Sequence, residues 1–230
     1  MVILITGSRK GIGKYLTQIF LERGDIVFGC SRLDSEIEHQ NYHHFIADVS
    51  DESQVKRMFK EIRLAGVGLD VLINNAGVAS MNHSLLTPMS TVIHLMQTNF
   101  NGTFLVSREA IKLMQKKRNG RVVNFSTVAV PLNLQGEAIY ASSKSAVETL
   151  TRVMSKEVGE LGITINAIAP TPIETDLTRT VPTNKLQELI NQQAIKRMGN
   201  FDDVLNVIDF FIKPESSFVT GQVVYLGGVF

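Results

Sequence analysis

Cysteine is nearly absent from this sequence of 230 residues: Cys30 is the only one. A single thiol excludes an internal disulfide, a multi-thiolate zinc site and an iron–sulfur cluster, and it fits a reducing compartment such as the cytoplasm. Net charge is nearly absent too. Lys and Arg number 23 against 22 Asp and Glu, a balance of +1, so there is no global field to draw the chain to DNA, RNA or an anionic membrane. Hydrophobic residues are 44% and charged ones 20%, a globular balance that excludes a disordered tail. No apolar run approaches the roughly 18 to 20 residues that span a bilayer. Met1 leads straight into Val2-Ile3-Leu4-Ile5, so no secretory leader is expected. There is no internal repeat, low-complexity tract or dividing linker. The expectation is one domain over residues 1–230, cytoplasmic, binding neither nucleic acid nor membrane.

What is present is an alternation. Short β-branched runs at Val2–Ile5, Ile26–Cys30, His44–Ala47, Val71–Ile73, Arg121–Phe125, Thr164–Ala167 and Val223–Leu226 read as strands. Amphipathic stretches between them read as helices: Ile12–Arg23, Asp51–Leu64, Ser90–Phe100, Thr103–Lys117, Tyr140–Leu161, Lys185–Gln193 and Asp202–Phe211. Strands joined by crossover helices imply an α/β fold: one doubly wound parallel sheet of the Rossmann kind, with helices on both faces. Its ligand is expected at the carboxyl ends of the strands.

The first strand runs through Thr6-Gly7-Ser8-Arg9-Lys10-Gly11-Ile12-Gly13 directly into a helix. Glycine removes Cβ clashes from a tight turn and lets backbone N–H groups approach a pyrophosphate at a helix N-terminus. Such a cluster alone is weak evidence, because any strand-to-helix turn uses glycine. Here it follows a strand and opens a helix, the context a dinucleotide fingerprint requires.

The spacing Thr-Gly-x-x-x-Gly-Ile-Gly resembles that of the classical short-chain dehydrogenase/reductases, and the resemblance extends along essentially the whole chain. Asp48-Val49 is similar to that family's adenine-contacting acid, and Asn74-Asn75-Ala76-Gly77 matches its signature after the fourth strand. Asn99 falls where the family keeps an active-site asparagine, and Tyr140-Ala141-Ser142-Ser143-Lys144 matches its Tyr-x-x-x-Lys. The nearest likeness is to the 3-oxoacyl-carrier-protein reductases. The resemblance implies an oxidoreductase with nicotinamide bound at Gly7 to Gly13, Arg32, Asp48, Val49, Asn75, Ala76, Gly77, Tyr140, Lys144, Ile173 and Thr175. It also implies a homodimer or homotetramer packed through the long helices.

Tyr140 and Lys144 are four residues apart on a helix, hence on one face. A free phenol has a pKa of about 10; a neighbouring ammonium stabilises the phenolate and brings it toward the working range of an acid–base catalyst. The phenol then serves a carbonyl oxygen as hydride arrives. For the family's third member, a hydroxyl after the fifth strand, the usual spacing lands on Thr127, with Ser126 as the fallback. Threonine keeps the hydroxyl and adds a methyl that narrows the pocket. Asn99 is expected, by resemblance, to hold a water that links Lys144 to solvent.

Cys30-Ser31-Arg32 ends the second strand without the acid that many NAD-binding relatives carry there. An arginine suits a 2′-phosphate, and Arg9 and Lys10 add charge nearby, so NADP(H) is favoured over NAD(H). The chain departs from the family at Pro170-Thr171-Pro172, where Thr171 replaces glycine, and at Leu226, which replaces aspartate before Gly227-Gly228. Residues 175–199 are expected to form a lid over the substrate. Ser80–His83 and Val130–Ala138 are expected to line the substrate pocket, which does not reveal the substrate.

Three features are set aside. His39, His43 and His44 lack companion thiolates, and the two adjacent ones face opposite ways in extended chain, so no metal site is expected. Lys116-Lys117-Arg118 reads as a solvated helix end, with a patch for an acyl-bearing carrier protein as the sharper alternative. Met81, Met89 and Met96 read as core or lid contacts. The reading is therefore an NADP(H)-dependent oxidoreductase acting between a small-molecule ketone and its secondary alcohol. The alternative is a nucleotide-binding regulatory or scaffold protein of the same fold with little turnover.

Overall fold

The computed structural model describes residues 1–176, 178–179 and 181–229. Seven strands form one parallel sheet: β1 (Val2–Thr6), β2 (Ile26–Ser31), β3 (Tyr42–Ile46), β4 (Val71–Asn74), β5 (Gly120–Phe125), β6 (Ile163–Ala169) and β7 (Val223–Tyr225). Their order is β3-β2-β1-β4-β5-β6-β7. β1 pairs with β2 on one side and β4 on the other. The direction of winding reverses there, which opens a crevice at the carboxyl ends of β1 and β4.

Successive residues of each strand serve opposite faces. Leu4, Leu72, Val122 and Ile165 meet α2 (Glu52–Leu64), α4 (Gly102–Met114) and α6 (Ala138–Val158) on one side. Ile3, Ile5, Ile73 and Val123 meet α1 (Gly11–Glu22) and α8 (Phe201–Ile212) on the other. Both faces are covered, so these strands read as continuous apolar runs and not as alternations. Removing one such side chain, as in Leu72→Ala, costs about 2–5 kcal/mol. Asp51 lies just outside α2 and caps it, accepting from the amides of Ser53 at 2.8 Å and Gln54 at 3.1 Å.

Four expectations change. The stretches Ser90–Phe100 and Thr103–Lys117 form one continuous helical run: α3 (Met89–Met96), a π turn over Gln97–Asn101, then α4. Asn99 therefore widens the helix by a residue and does not break it; its carbonyl accepts the Thr103 hydroxyl at 2.7 Å. α4 stops at Met114, and the basic run beyond it is exposed, as expected of a solvated helix end. Lys117 pairs with Asp70 at 3.1 Å, and Arg118, at φ +49°, donates to the Glu160 carbonyl. β3 begins earlier than expected, at Tyr42, whose ring joins the core beneath β2. Met89 is 66% exposed on α3 and stands outside the core. Among the described residues no helix is long and apolar enough to cross a membrane.

Candidate active site

The turn after β1 passes through Gly7 and Gly11, both at positive φ (+68° and +53°). A Cβ on Gly13 would lie 2.2 Å from the Gly7 carbonyl oxygen and 2.5 Å from Asn75 Nδ2, so only glycine lets α1 start this close to the turn. Asn75 Nδ2 donates to the carbonyls of Thr6 at 2.9 Å and Gly7 at 3.2 Å, and the Ala76 amide donates to Thr6 Oγ1 at 2.9 Å. The motif after β4 thus holds the turn after β1 in place. A cavity of about 270 Å³ opens beside them, lined by Gly7, Arg9, Lys10, Arg32, Asp48, Val49, Ala76 and Gly77.

Several residues foreseen in this cavity have other engagements. The Ser8 hydroxyl is buried and faces Tyr42 at 2.9 Å. Asp48 Oδ1 accepts from the Ser50 amide at 2.9 Å and hydroxyl at 2.7 Å. Lys10 lines the cavity, but its ammonium pairs with Asp176 at 2.9 Å. Arg9 and Arg32 pair with no carboxylate among the described residues. A backbone cradle free of Cβ atoms, flanked by two guanidiniums, fits the phosphates of a dinucleotide.

Tyr140 and Lys144 project from the first turns of α6 into a second cavity of about 440 Å³, which also takes in Asn75, Gly77 and Thr127. Burial pushes the Tyr140 phenol up to about 12, against the opposing hydrogen bond of Thr127 and with a small push from the Glu137 charge. Burial likewise brings Lys144 down to about 8, and its Nζ donates to the Phe125 carbonyl at 2.9 Å. Desolvation, not the lysine charge, therefore sets the phenol here, the reverse of the direction expected from the pair alone. Ser126 turns away and donates to Glu148 at 2.6 Å, while Thr127 faces Tyr140.

Asn99 is fully buried with its side chain spent on structure. Nδ2 donates to the Val78 carbonyl and the Ser143 hydroxyl, each at 2.9 Å, and Oδ1 accepts from the Val78 amide at 2.9 Å. It braces the chain after β4 against the residue preceding Lys144. The expected water-holding role is open only to its carbonyl, which already accepts Thr103.

Thr171, Ile173 and Thr175 line the same cavity, and α7 (Thr183–Gln192) contributes Leu186 and Leu189 from the expected lid. Leu177 and Thr180 of that stretch lie outside the described residues. Thr178 Oγ1 donates to the Ile173 carbonyl at 2.7 Å and accepts from the Thr175 amide at 3.0 Å, fixing the segment that passes over Gly11. Thr171 is buried beside Gly199 and Gly227, so its side chain is absorbed by neighbours that lack one. Gly227 and Gly228 keep their turn, at φ +77° and +71°, despite Leu226.

Sequence reasoning missed several participants. Glu137 lines the cavity just before Tyr140, within a stretch already marked for the pocket. Glu148 is buried and gathers Ser126, Tyr225 and Arg152. Of the expected pocket segments, Met81, Leu132, Asn133, Leu134 and Gln135 also reach the cavity.

The two cavities share Gly77 and Val78. One groove thus joins the glycine turn to the Tyr140–Lys144–Thr127 cluster, a layout that fits a dinucleotide-dependent enzyme. Comparison with known proteins agrees. A family model described as enoyl-(acyl carrier protein) reductase matches residues 7–228. The 3-oxoacyl-acyl-carrier-protein reductase FabG of Thermotoga maritima is 33% identical, over 99% of this chain and 96% of its own length. FabG of Vibrio cholerae is 29% identical over 99% and 96%. Among solved structures, ElxO with NADP bound is 30% identical, covers 98% of this chain and 96% of its own, and superposes with a TM-score of 0.89. The ligand-free aldohexose dehydrogenase of Thermoplasma acidophilum is 28% identical over 99% and 93%, with a TM-score of 0.89. The chain belongs to the short-chain dehydrogenase/reductase family of oxidoreductases.

Proposed function

We propose that this chain is an NADP(H)-dependent reductase or dehydrogenase that interconverts a ketone and its secondary alcohol. The observation that carries the reading is the meeting of the Tyr140 phenol, the Thr127 hydroxyl and the Lys144 ammonium at the wall of one cavity that opens onto the glycine turn. A nicotinamide held between the glycine turn and this cavity would supply or accept the hydride. Tyr140, protonated at neutral pH as a phenol and the more so with burial raising it, donates to the carbonyl oxygen during reduction and takes the proton back in the reverse direction. Thr127 holds the same oxygen by a hydrogen bond, which strengthens as negative charge develops there. Lys144, one turn along α6 and lining the same cavity, would hold the nicotinamide ribose. Asn99 acts through others, holding Val78 and Ser143 in register.

The family model's description names an enoyl reduction, at a carbon–carbon double bond, whereas the FabG relatives are named for a 3-oxoacyl group. A proton donor and a second hydroxyl converging on one point suit an oxygen, which supports the ketone. The apolar walls provided by Leu132, Leu134, Leu186 and Leu189 are compatible with a carrier-bound acyl group. Phe104 on α4 and Val153 on α6 are 37% and 50% exposed, and we assign this face to a homodimer or homotetramer, which sedimentation would show as a monomer if the assignment is wrong. A purely regulatory protein has no use for the Tyr140–Thr127–Lys144 grouping. The test is titration with NADPH and NADH followed by a ketone panel with NADPH. Tighter NADPH binding and turnover of at least one ketone are expected; binding of neither nucleotide would overturn the reading.

A further inference from the structure

The β3 residue His44, adjacent to a histidine that packs on Phe28, turns to the opposite face and touches three groups. Its Nδ1 lies 2.8 Å from the Tyr42 hydroxyl, and its Nε2 lies 3.1 Å from both the Ser31 hydroxyl and the Leu33 carbonyl. A carbonyl only accepts, so Nε2 carries a proton; in the neutral ring Nδ1 is then an acceptor for the Tyr42 hydroxyl. The Tyr42 oxygen in turn accepts from the buried Ser8 hydroxyl at 2.9 Å. The result is one directed chain, Ser8 to Tyr42 to His44 to Leu33, with Ser31 also donating to the Leu33 carbonyl. Gly29 makes room for it, because a Cβ there would sit 2.3 Å from Tyr42 Oη and 2.4 Å from Ser8 Oγ.

The chain joins the two banks of the cavity over the glycine turn. At one end Ser8 belongs to the turn. At the other, Ser31 and Leu33 are the two neighbours of Arg32, whose guanidinium has no carboxylate partner among the described residues. We propose that His44 is a positioning residue for nucleotide recognition: it clamps both residues flanking Arg32 and ties them to the glycine turn, so that Arg32 is presented to a phosphate on the adenosine 2′ position. The proposal rests on the nucleotide-binding reading above. A bidentate guanidinium contact is sensitive to aim, whereas the adenosine and pyrophosphate contacts that NADPH shares with NADH lie elsewhere on the turn. Loss of the clamp therefore affects the 2′-phosphate selectively.

The test is fluorescence titration of the full-length protein with NADPH and with NADH, for wild type, His44→Leu, His44→Gln and Tyr42→Phe. His44→Leu should weaken NADPH about tenfold and NADH less than about twofold. Tyr42→Phe, which keeps the packed ring, should move NADPH in the same direction by less. His44→Gln retains a donor for Leu33 and should recover most of the loss, including where His44→Leu fails to fold. Equal weakening of both nucleotides would mean a merely structural histidine and overturn the proposal, as would unchanged NADPH affinity in His44→Leu and Tyr42→Phe. Wild type that binds neither nucleotide removes the cofactor reading itself, a failure visible before any variant is made.

Discussion

The Ser126 hydroxyl donates to Glu148 at 2.6 Å, so the two consecutive hydroxyls beyond β5 serve different partners: Ser126 a buried carboxylate, Thr127 the phenol of Tyr140. Glu148 is only 3% exposed and also accepts from Tyr225 at 2.7 and 2.8 Å and from Arg152 at 3.2 Å. Thr127→Val should lower kcat/KM about 100-fold and also destabilise by about 1 kcal/mol, because Thr127 Oγ1 accepts from the buried Ala129 amide at 3.2 Å. Ser126→Ala should keep activity within about tenfold yet destabilise by about 1–2 kcal/mol. Steady-state kinetics beside urea unfolding checks both, and the opposite pattern would exchange their roles.

The contact of Gly13 with the turn makes a sharp steric prediction. Gly13→Ala pushes a methyl into the Gly7 carbonyl and should abolish nucleotide binding or folding. Gly159→Ala, where an added Cβ meets nothing within 4 Å, should leave both intact. Nucleotide titration and thermal melts of the pair distinguish a local clash from a general intolerance of alanine.

Lys144 also leaves a signature in stability. Its pKa falls from 10.5 in the unfolded chain to about 8 in the folded one. Between those values the unfolded state binds the extra proton, so stability rises with pH there. Cys30, raised from 9.0 to about 12 by burial, works the other way above pH 9. Comparing wild type with Lys144→Met cancels the cysteine. The difference in unfolding free energy should shift in favour of wild type by about 1–2 kcal/mol as pH rises from about 8 to about 9.5. A constant difference would contradict the burial of a titrating ammonium.

Arg32 should carry the preference for NADPH. Arg32→Ala is expected to weaken NADPH about 10- to 100-fold and leave NADH nearly unchanged, with the gap narrowing at high salt. Fluorescence titration at two ionic strengths measures this. An equal effect on both nucleotides would move the 2′-phosphate contact elsewhere, with Arg9 the next candidate.

Much of this was legible in the sequence because the signals are local. The alternation of apolar runs and amphipathic stretches yields the sheet and its faces, and Gly7 to Gly13, Asn75 to Gly77, and Tyr140 with Lys144 are contiguous motifs. What was hidden depends on contacts between distant segments. The direction of Ser126 is decided by Glu148, 22 residues away. Lys10 looks like a nucleotide cation until Asp176, 166 residues on, pairs with it. The histidines of β3 read as isolated because only the parallel register, which sets Cys30 beside Phe45 and Ser31 beside Ile46, brings His44 to Ser31. The π turn at Asn99 was hidden for the same reason: its side chain is held by Val78 and Ser143, neither of which is its neighbour in the chain.

The central claim is that the Tyr140 hydroxyl moves the proton while nicotinamide moves the hydride. The most direct measurement is single-turnover oxidation of bound NADPH by a ketone substrate, in wild type and in Tyr140→Phe. The account predicts unchanged NADPH affinity in the variant and a hydride-transfer rate lower by about 100-fold or more. A variant that oxidises NADPH at the wild-type rate would contradict it.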